Sequence, residues 1–418
     1  MQENQTQETE KPLYQKHIPI VTRSVAGKFR NFKTIVMVVA YIVYFGLPWI
    51  PWDRNSAADQ AILFDLTSRR FFIFDLIVYP QDIFWLAMIL FIAAALLFFT
   101  TGLIGRAWCG YFCFQTLWSD LFIKIEHLIQ GERPARLRLQ KQPWNLEKIF
   151  KIGGSHLAMI IISVWTAITF AAYFVYAPTF VKDFFMGHAL AGGYFAVLVL
   201  TFTTYMSAGV AREQICLFAC PYARFQGVMY EADTLAVNYD VKRGEGEKGR
   251  SIPIAGLKTR EERTAAGHGD CIDCGFCVQV CPTGIDIRDG LQYECIGCGA
   301  CADVCDTVMD KMGYARGLVR YSTQNAMDNK WTPAQIWQRL MRPRIQIYTM
   351  ILVAVTVGLL VSLSLRTPFK VDVVRDRSTL SRITEYGTLE NVYRLQIMNA
   401  AENAQTYRLS VKGLPGLK

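Results

Sequence analysis

The sequence predicts an α-helical integral membrane protein of five spans, with a cysteine-rich α+β insert and a β-rich tail. Three observations predict it. Five stretches of roughly 20 residues are apolar and uncharged at their middles. Eight cysteines fall in two regular runs inside one polar connection. Beyond the last apolar stretch, residues 366–418 alternate short β-rich runs with turn residues. Of the 418 residues, 52% are hydrophobic and 19% charged, against about 25% charge in an ordinary soluble domain. There is too little polar surface to cover that much apolar material, which also excludes a disordered or collagen-like chain. The net charge of +9 is unevenly placed, so nucleic-acid binding is not the default reading and no nucleic-acid partner is expected.

The predicted spans cover about residues 34–51, 83–104, 157–177, 189–210 and 345–365. Lys and Arg asymmetry orients them. Residues 1–33 hold six such charges and the 105–156 connection eight, whereas the 52–82 loop has three against five acids and the 178–188 hairpin only Lys182. The basic side is the cytoplasm, so the N-terminus and the 211–344 segment lie there, and the tail from Arg366 lies in the periplasm of an inner-membrane protein. The first apolar run is too long and starts too late for a cleavable secretory signal. The domain reading is therefore a cytoplasmic segment 1–33, a four-span region 34–226, a cytoplasmic segment 227–344, a fifth span 345–365 and a periplasmic tail 366–418. In that tail, VDVV, VYRLQIM and TYRLSV read as strands. Three or four strands are too few for a sandwich, which takes about 100 residues, so the tail is either incomplete as a domain or packed on something else.

Residues 271–305 contain two successive runs of C-x2-C-x2-C-x3-C, the first followed by Pro282. The spacing resembles that of bacterial two-cluster ferredoxins, in which the fourth cysteine of each run serves the other cluster. Carried over, one [4Fe–4S] cluster takes Cys271, Cys274, Cys277 and Cys305, and the second takes Cys295, Cys298, Cys301 and Cys281, in a domain at about 265–312. Three thiolates on a tight loop reach three corners of a cubane, with Gly275, Gly297, Gly299 and Ala300 small enough for backbone N–H groups to approach the sulfurs. Zinc also binds C-x2-C pairs, but has no use for the third and fourth cysteine of each run. Asp306 stands where such ferredoxins usually have proline, adding negative charge near one cluster. The Gly- and charge-rich stretch 242–269 reads as a linker or flexible loop ahead of the clusters, and 332–344 as a segment along the membrane surface.

The other four cysteines form two C-x3-C pairs, Cys109/Cys113 and Cys216/Cys220, each just past an apolar run on the cytoplasmic side. If the helix continues, both sulfurs of a pair share a face. Four facing thiolates suit Cu(I), zinc or an iron–sulfur cluster, or a thiol–disulfide couple. A free cysteine is often only a small buried hydrophobe, but two identical pairs at matched positions argue for a redox or metal role. Arg106, Trp108, Arg212 and Arg224 flank the pairs, and nearby cations favour thiolate. His156 and His188 lie at opposite faces, which argues against a haem held by two histidines. No phosphate-loop or dinucleotide fingerprint is present, so no NAD or flavin site is visible.

Spans, C-x3-C pairs, two-cluster insert and β-rich tail together, with YPQDIF (79–84), RAWCGYFCFQTLW (106–118) and ACPYARFQ (219–226), resemble the FixG/RdxA/CcoG-type polyferredoxins, accessory proteins of C-type haem–copper cytochrome c oxidases. The resemblance implies an immunoglobulin-like tail and a role in oxidase assembly, as a cupric reductase that turns Cu(II) into Cu(I). Cys109, Cys113, Cys216 and Cys220 are then the redox and copper site. It also implies as partners the membrane, oxidase assembly factors, a copper chaperone or transporter, an unidentified cytoplasmic electron donor and a second copy of the chain. That family places proline after each C-x3-C; here Phe114 follows Cys113, while Cys220–Pro221 keeps it. Two alternatives remain: a quinol-linked electron-transfer subunit of a respiratory reductase, whose relatives lack a large β tail, and a structural scaffold braced by its clusters.

Overall fold

A computed structural model describes residues 20–55, 57–254, 256, 259–366, 369–376, 382–383, 385–387, 389–399 and 405–410. The chain divides into two compact units, one of residues 1–30, 123–155 and 237–320, the other of 31–122, 156–236 and 321–418.

Five apolar helices, Lys28–Trp49, Pro80–Ile104, Leu146–Ala172, Ala191–Ala211 and Pro343–Ser364, are each long enough to cross a membrane and lie mostly in the second unit, the first and third of them beginning in the first unit. The first and third start earlier than the apolar stretches indicate, because polar residues carry each helix beyond its apolar stretch. At the third, the Asn145 side chain accepts the N–H of Lys148 at 2.8 Å and opens the helix at Leu146. The second and fifth spans pack together: the Trp85 indole donates to Ser362 at 2.9 Å, and Gly102 leaves space for Ile345, the small-residue contact that lets apolar helices approach. Several side-chain polar groups inside the bundle pair with backbone carbonyls or with one another, which a span favours. The Tyr41 hydroxyl donates to the Leu117 carbonyl and that of Tyr44 to the Thr166 carbonyl, both at 2.9 Å. Trp118 donates to the Thr166 hydroxyl at 3.0 Å.

Lys33 of the first span and Asp120 of the helix Phe114–Gln130 form a buried ion pair at 3.6 Å. Removing one partner of such a pair strands the other charge, which costs about 3–5 kcal/mol. Asp120→Leu is therefore expected to lower the thermal unfolding midpoint in detergent sharply, and Lys33→Met/Asp120→Leu to restore most of it. A single variant as stable as the parent would contradict the assignment.

Between the first two spans, β1 (Ile62–Asp65), β2 (Arg70–Ile73) and β3 (Leu76–Val78) form an antiparallel meander around Leu63, Phe72 and Ile77. Gln60, fully buried, donates to the Ala172 carbonyl at 2.9 Å and accepts the Ala177 N–H at 3.0 Å. One side chain thus ends the third span and starts the helix Ala177–Met186.

Strands β4 (Ala236–Tyr239) and β5 (Val319–Ser322) pair with each other. In the tail, β6 (Phe369–Arg375) pairs antiparallel with β9 (Tyr393–Asn399), and β7 (Arg382–Ile383) with β8 (Leu389–Glu390). Two of the three predicted strands are present; residues 406–410 of TYRLSV form none, and Val411 lies outside the described residues, as do 1–19.

The first unit holds the octet, and 242–269 is part of it rather than a linker. Arg243 and Arg260 both pair with the buried Asp270, at 2.6 and 2.9 Å. Arg263 is among the largest fully buried side chains, and the helix Arg260–Ala265 opens on a capping box of Thr259 and Glu262. Composition suggested a linker because these charges face one another instead of solvent. Residues 20–30 run across the two cysteine loops. Arg23 lies 4.1 Å over the Phe276 ring and donates its N–H to the Gln279 carbonyl at 2.8 Å. Asp303 accepts the N–H groups of Phe29 and Arg30 at 3.2 and 2.7 Å, a carboxylate at the positive end of the helix that starts at Lys28.

Candidate metal centres

The two cysteine runs of the first unit are built alike. Gly275 (φ +66°) precedes the turn Phe276–Gln279, which carries Cys277; Gly299 (φ +70°) precedes the helix Ala300–Met312, which carries Cys301 and Cys305. Both glycines occupy the left-handed region, where a side chain is strained. Gly299 also lies where a Cβ would fall 2.6 Å from the Phe29 ring. The runs diverge after their last cysteine. Pro282 disfavours helix at Cys281 and the first turn stops at Gln279, whereas Asp306 lets the second continue to Met312. Asp306 has a structural task as well: its carboxylate accepts the Gly317 N–H at 2.8 Å.

The fold sorts the eight thiols into two sets. A cavity is lined by Cys271, Cys274, Cys277 and Cys305, walled by apolar groups such as Val308 and Leu318. Burial pushes the Cys305 thiol up to about 12, helped by Cys277, Cys271 and Cys274. Burial also pushes the Cys301 thiol well up, helped by Cys298, Cys295, Cys281 and Cys277. The fourth cysteine of each run thus stands with the first three of the other. Four sulfurs that oppose one another's ionisation need a cationic core to hold them as thiolates, and a cubane meets its ligands at separate corners. The donor set fits that group. Cys274 is the one exposed cysteine of the twelve.

Two side chains that spacing did not single out border this cradle. Arg288 pairs with Asp286 and Asp273, and burial brings the Cys277 thiol to about 11 despite the Arg288 charge. Tyr239 faces Cys271 and donates to Glu245 at 3.2 Å. Their only sequence signal is a position between or ahead of the runs.

The C-x3-C pairs, in the second unit, also share one construction, though not a continuous helix. Cys109 lies on the short helix Ala107–Tyr111, and Cys113 precedes the helix Phe114–Gln130. Cys216 lies on the π-turn Ile215–Ala219, and Cys220 precedes the helix Pro221–Met229. In both, the second cysteine donates its N–H to the carbonyl five residues back: Cys113 to Trp108 at 3.1 Å and Cys220 to Ile215 at 2.8 Å. This wide turn, not a helical face, sets each pair. Phe114 and Pro221 occupy the same first helical position, where an N–H has no intrahelical partner and proline is optional, so the missing proline leaves the backbone unchanged. Each second cysteine also sits at a helix N-terminus, which favours negative charge.

The two pairs act on one another. Burial brings the Cys109 thiol to about 12, with Cys113 and Cys216 adding to the rise and Arg106 opposing it. Cys216 is brought to about 11 by burial, Cys113 and Cys220, again against Arg106. The expected cationic help is therefore real at Arg106 but weaker than desolvation, while Arg224 is exposed. Arg106 is buried; its guanidinium donates to the Ala223 carbonyl, and its N–H to the Tyr230 hydroxyl at 3.0 Å. Gln115 ties the motifs together, donating to the Ser207 and Arg212 carbonyls at 2.7 and 3.1 Å; Arg212 itself has φ +36°, a strained value. Gln226, fully buried, accepts from the Cys109 thiol at 3.5 Å. Four soft donors that act on one another, with a buried cation beside them, are the residue types a thiophilic metal takes, although among the described residues no three of them converge on a single-ion site.

Residues 211–324 match the family model of a 4Fe-4S dicluster domain, 85–134 that of a 4Fe-4S binding domain, and 359–418 that of the IG-like fold at the C-terminal of FixG. With five apolar helices these define the class: a membrane iron–sulfur oxidoreductase. The chain is 38% identical to the nitrogen fixation protein FixG of Rhizobium meliloti, over 97% of this chain and 81% of that protein. It is 41% identical to protein RdxB of Cereibacter sphaeroides (96% and 83%) and 38% identical to RdxA of the same organism (97% and 85%). The chain belongs to the FixG/RdxA family. No solved structure matches it.

Proposed function

We propose that this protein reduces Cu(II) to Cu(I) for the copper sites of a haem–copper oxidase, and that Cys109, Cys113, Cys216 and Cys220 form the acceptor site. The observation that carries this reading is the matched pair of wide turns that bring four soft donors into one electrostatically coupled group. Cys271, Cys274, Cys277 and Cys305 would hold one cluster and Cys295, Cys298, Cys301 and Cys281 the other. When bound, these clusters supply single electrons, drawn from a cytoplasmic donor. One electron converts one Cu(II) to Cu(I), which thiolates hold more readily than carboxylates or water do. Arg106 offsets the negative charge of the sulfurs. The bias of Lys and Arg toward the connections 1–33, 105–156 and 211–344 supports a cytoplasmic site for both cysteine pairs and the octet and a periplasmic tail, and in this reading the product Cu(I) passes to an assembly factor or transporter.

A second reading has its own support: the only cysteines in the 4Fe-4S-binding match at 85–134 are Cys109 and Cys113, too few for a cubane unless Cys216 and Cys220 complete it. Anaerobic iron analysis separates the two, at about eight iron atoms per chain for two clusters or about twelve for three. Purified protein, reduced with dithionite, is expected to reoxidise on adding Cu(II), with one Cu(I) chelate formed per electron lost. Reoxidation by a quinone but not by Cu(II) would establish the quinol-linked alternative, and inertness to both would leave a scaffold.

A further inference from the structure

Gln226 is the unexplained group beside the thiol pocket. Its side chain is fully buried. The amide oxygen accepts from the Cys109 thiol at 3.5 Å, while the amide nitrogen, equally buried, has no hydrogen-bond partner. A buried donor left unpaired is costly, and folds seldom keep one without a use. The amide faces the Tyr222 hydroxyl, on which Gln226 acts as a donor, but beyond hydrogen-bond distance, and that hydroxyl lies 2.7 Å from the Thr101 hydroxyl and 3.2 Å from the Leu97 carbonyl. Among the described residues Gln226 thus meets two polar groups, the Tyr222 hydroxyl and the Cys109 sulfur.

That arrangement suits a sulfur still carrying its hydrogen. A sulfur bonded to a metal has no S–H to give and acts only as an acceptor, so the amide oxygen would then face electron-rich sulfur. Rotation of the amide by half a turn exchanges its oxygen and nitrogen, which brings the spare N–H to Cys109 and turns the oxygen toward Tyr222.

We propose that Gln226 is a positioning residue of the thiol site, donating an N–H···S hydrogen bond to Cys109 when that sulfur binds a soft metal ion. The inference rests on the tetrathiol reading above. Metal binding forms the metal–sulfur bond and breaks S–H, the proton leaving to water; no electron moves in this step. The N–H then offsets charge on the ligand sulfur and fixes the Cys109 rotamer. Such outer partners are worth about 10–100-fold in metal affinity.

The test uses the full-length, cluster-loaded protein in detergent, titrated anaerobically with Cu(I) against a competing chelator. Gln226→Leu removes the donor, and Gln226→Glu keeps the shape while replacing the N–H by a carboxylate oxygen. Both are expected to retain the copper stoichiometry and the iron–sulfur absorbance, and to bind Cu(I) about tenfold or more weakly, with a shifted thiolate-to-copper ultraviolet band. If Gln226→Leu loses the iron–sulfur absorbance, Gln226→Glu decides. Affinity within about twofold of the parent in a folded variant overturns the role of Gln226. If the parent binds no more Cu(I) than a variant with serine at all four pocket cysteines, the tetrathiol reading itself fails, and this inference with it.

Discussion

Serine at Cys109, Cys113, Cys216 and Cys220 together is expected to abolish Cu(II) reduction while leaving the iron–sulfur spectrum intact. Serine is close to cysteine in volume, so the wide turns, held by backbone bonds from Cys113 and Cys220, survive the change. What is lost is the soft donor: a neutral hydroxyl binds Cu(I) far more weakly than a thiolate. Loss of a mere outer-shell partner costs about 10–100-fold in affinity or activity, so removing all four donors should exceed that. The octet lies in the other compact unit, and its absorbance reports whether the rest of the protein is sound. Cu(I) is measured with a colorimetric chelator under argon. Unchanged Cu(I) formation with intact clusters would remove these cysteines from the reaction.

The crossed assignment of the octet gives the second large effect. Cys274→Ala/Cys305→Ala takes two ligands from one cradle, so one cluster is lost outright and about four iron atoms per chain remain in an intact cubane. Cys274→Ala/Cys281→Ala takes one ligand from each cradle, and both clusters should be damaged. Had each run held its own cluster, the two outcomes would exchange. Iron analysis and electron paramagnetic resonance of the reduced proteins decide between them. The expectation follows from the thiols that act on Cys305 and on Cys301, not from spacing alone.

Much of this architecture was legible in the chain. The five spans and the octet are local patterns: a bilayer imposes a length of apolar helix, and a cubane imposes a ligand spacing. The stretch 242–269 was misread because its arginines and acids resemble a solvated linker until the fold sets Arg243 and Arg260 against Asp270. The condition that the helix continue through each C-x3-C pair is not met, for a different reason. Spacing of four is compatible with a helical face, but the hydrogen bond to the carbonyl five residues back widens the turn and lets a new helix start at the second cysteine.

The sequence by itself determined what this protein is made of: five membrane-length helices, eight cysteines in ferredoxin runs and four more in matched pairs. Those features depend on residues near one another along the chain, where spacing and composition suffice. Only the tertiary structure decided that Asp303 accepts the N–H groups of Phe29 and Arg30, and that buried Arg106 and Gln226 lie beside Cys109. Those relations join segments as much as 274 residues apart, and no local preference encodes them. They arise when packing removes water and each buried polar group must find a partner, or wait for one.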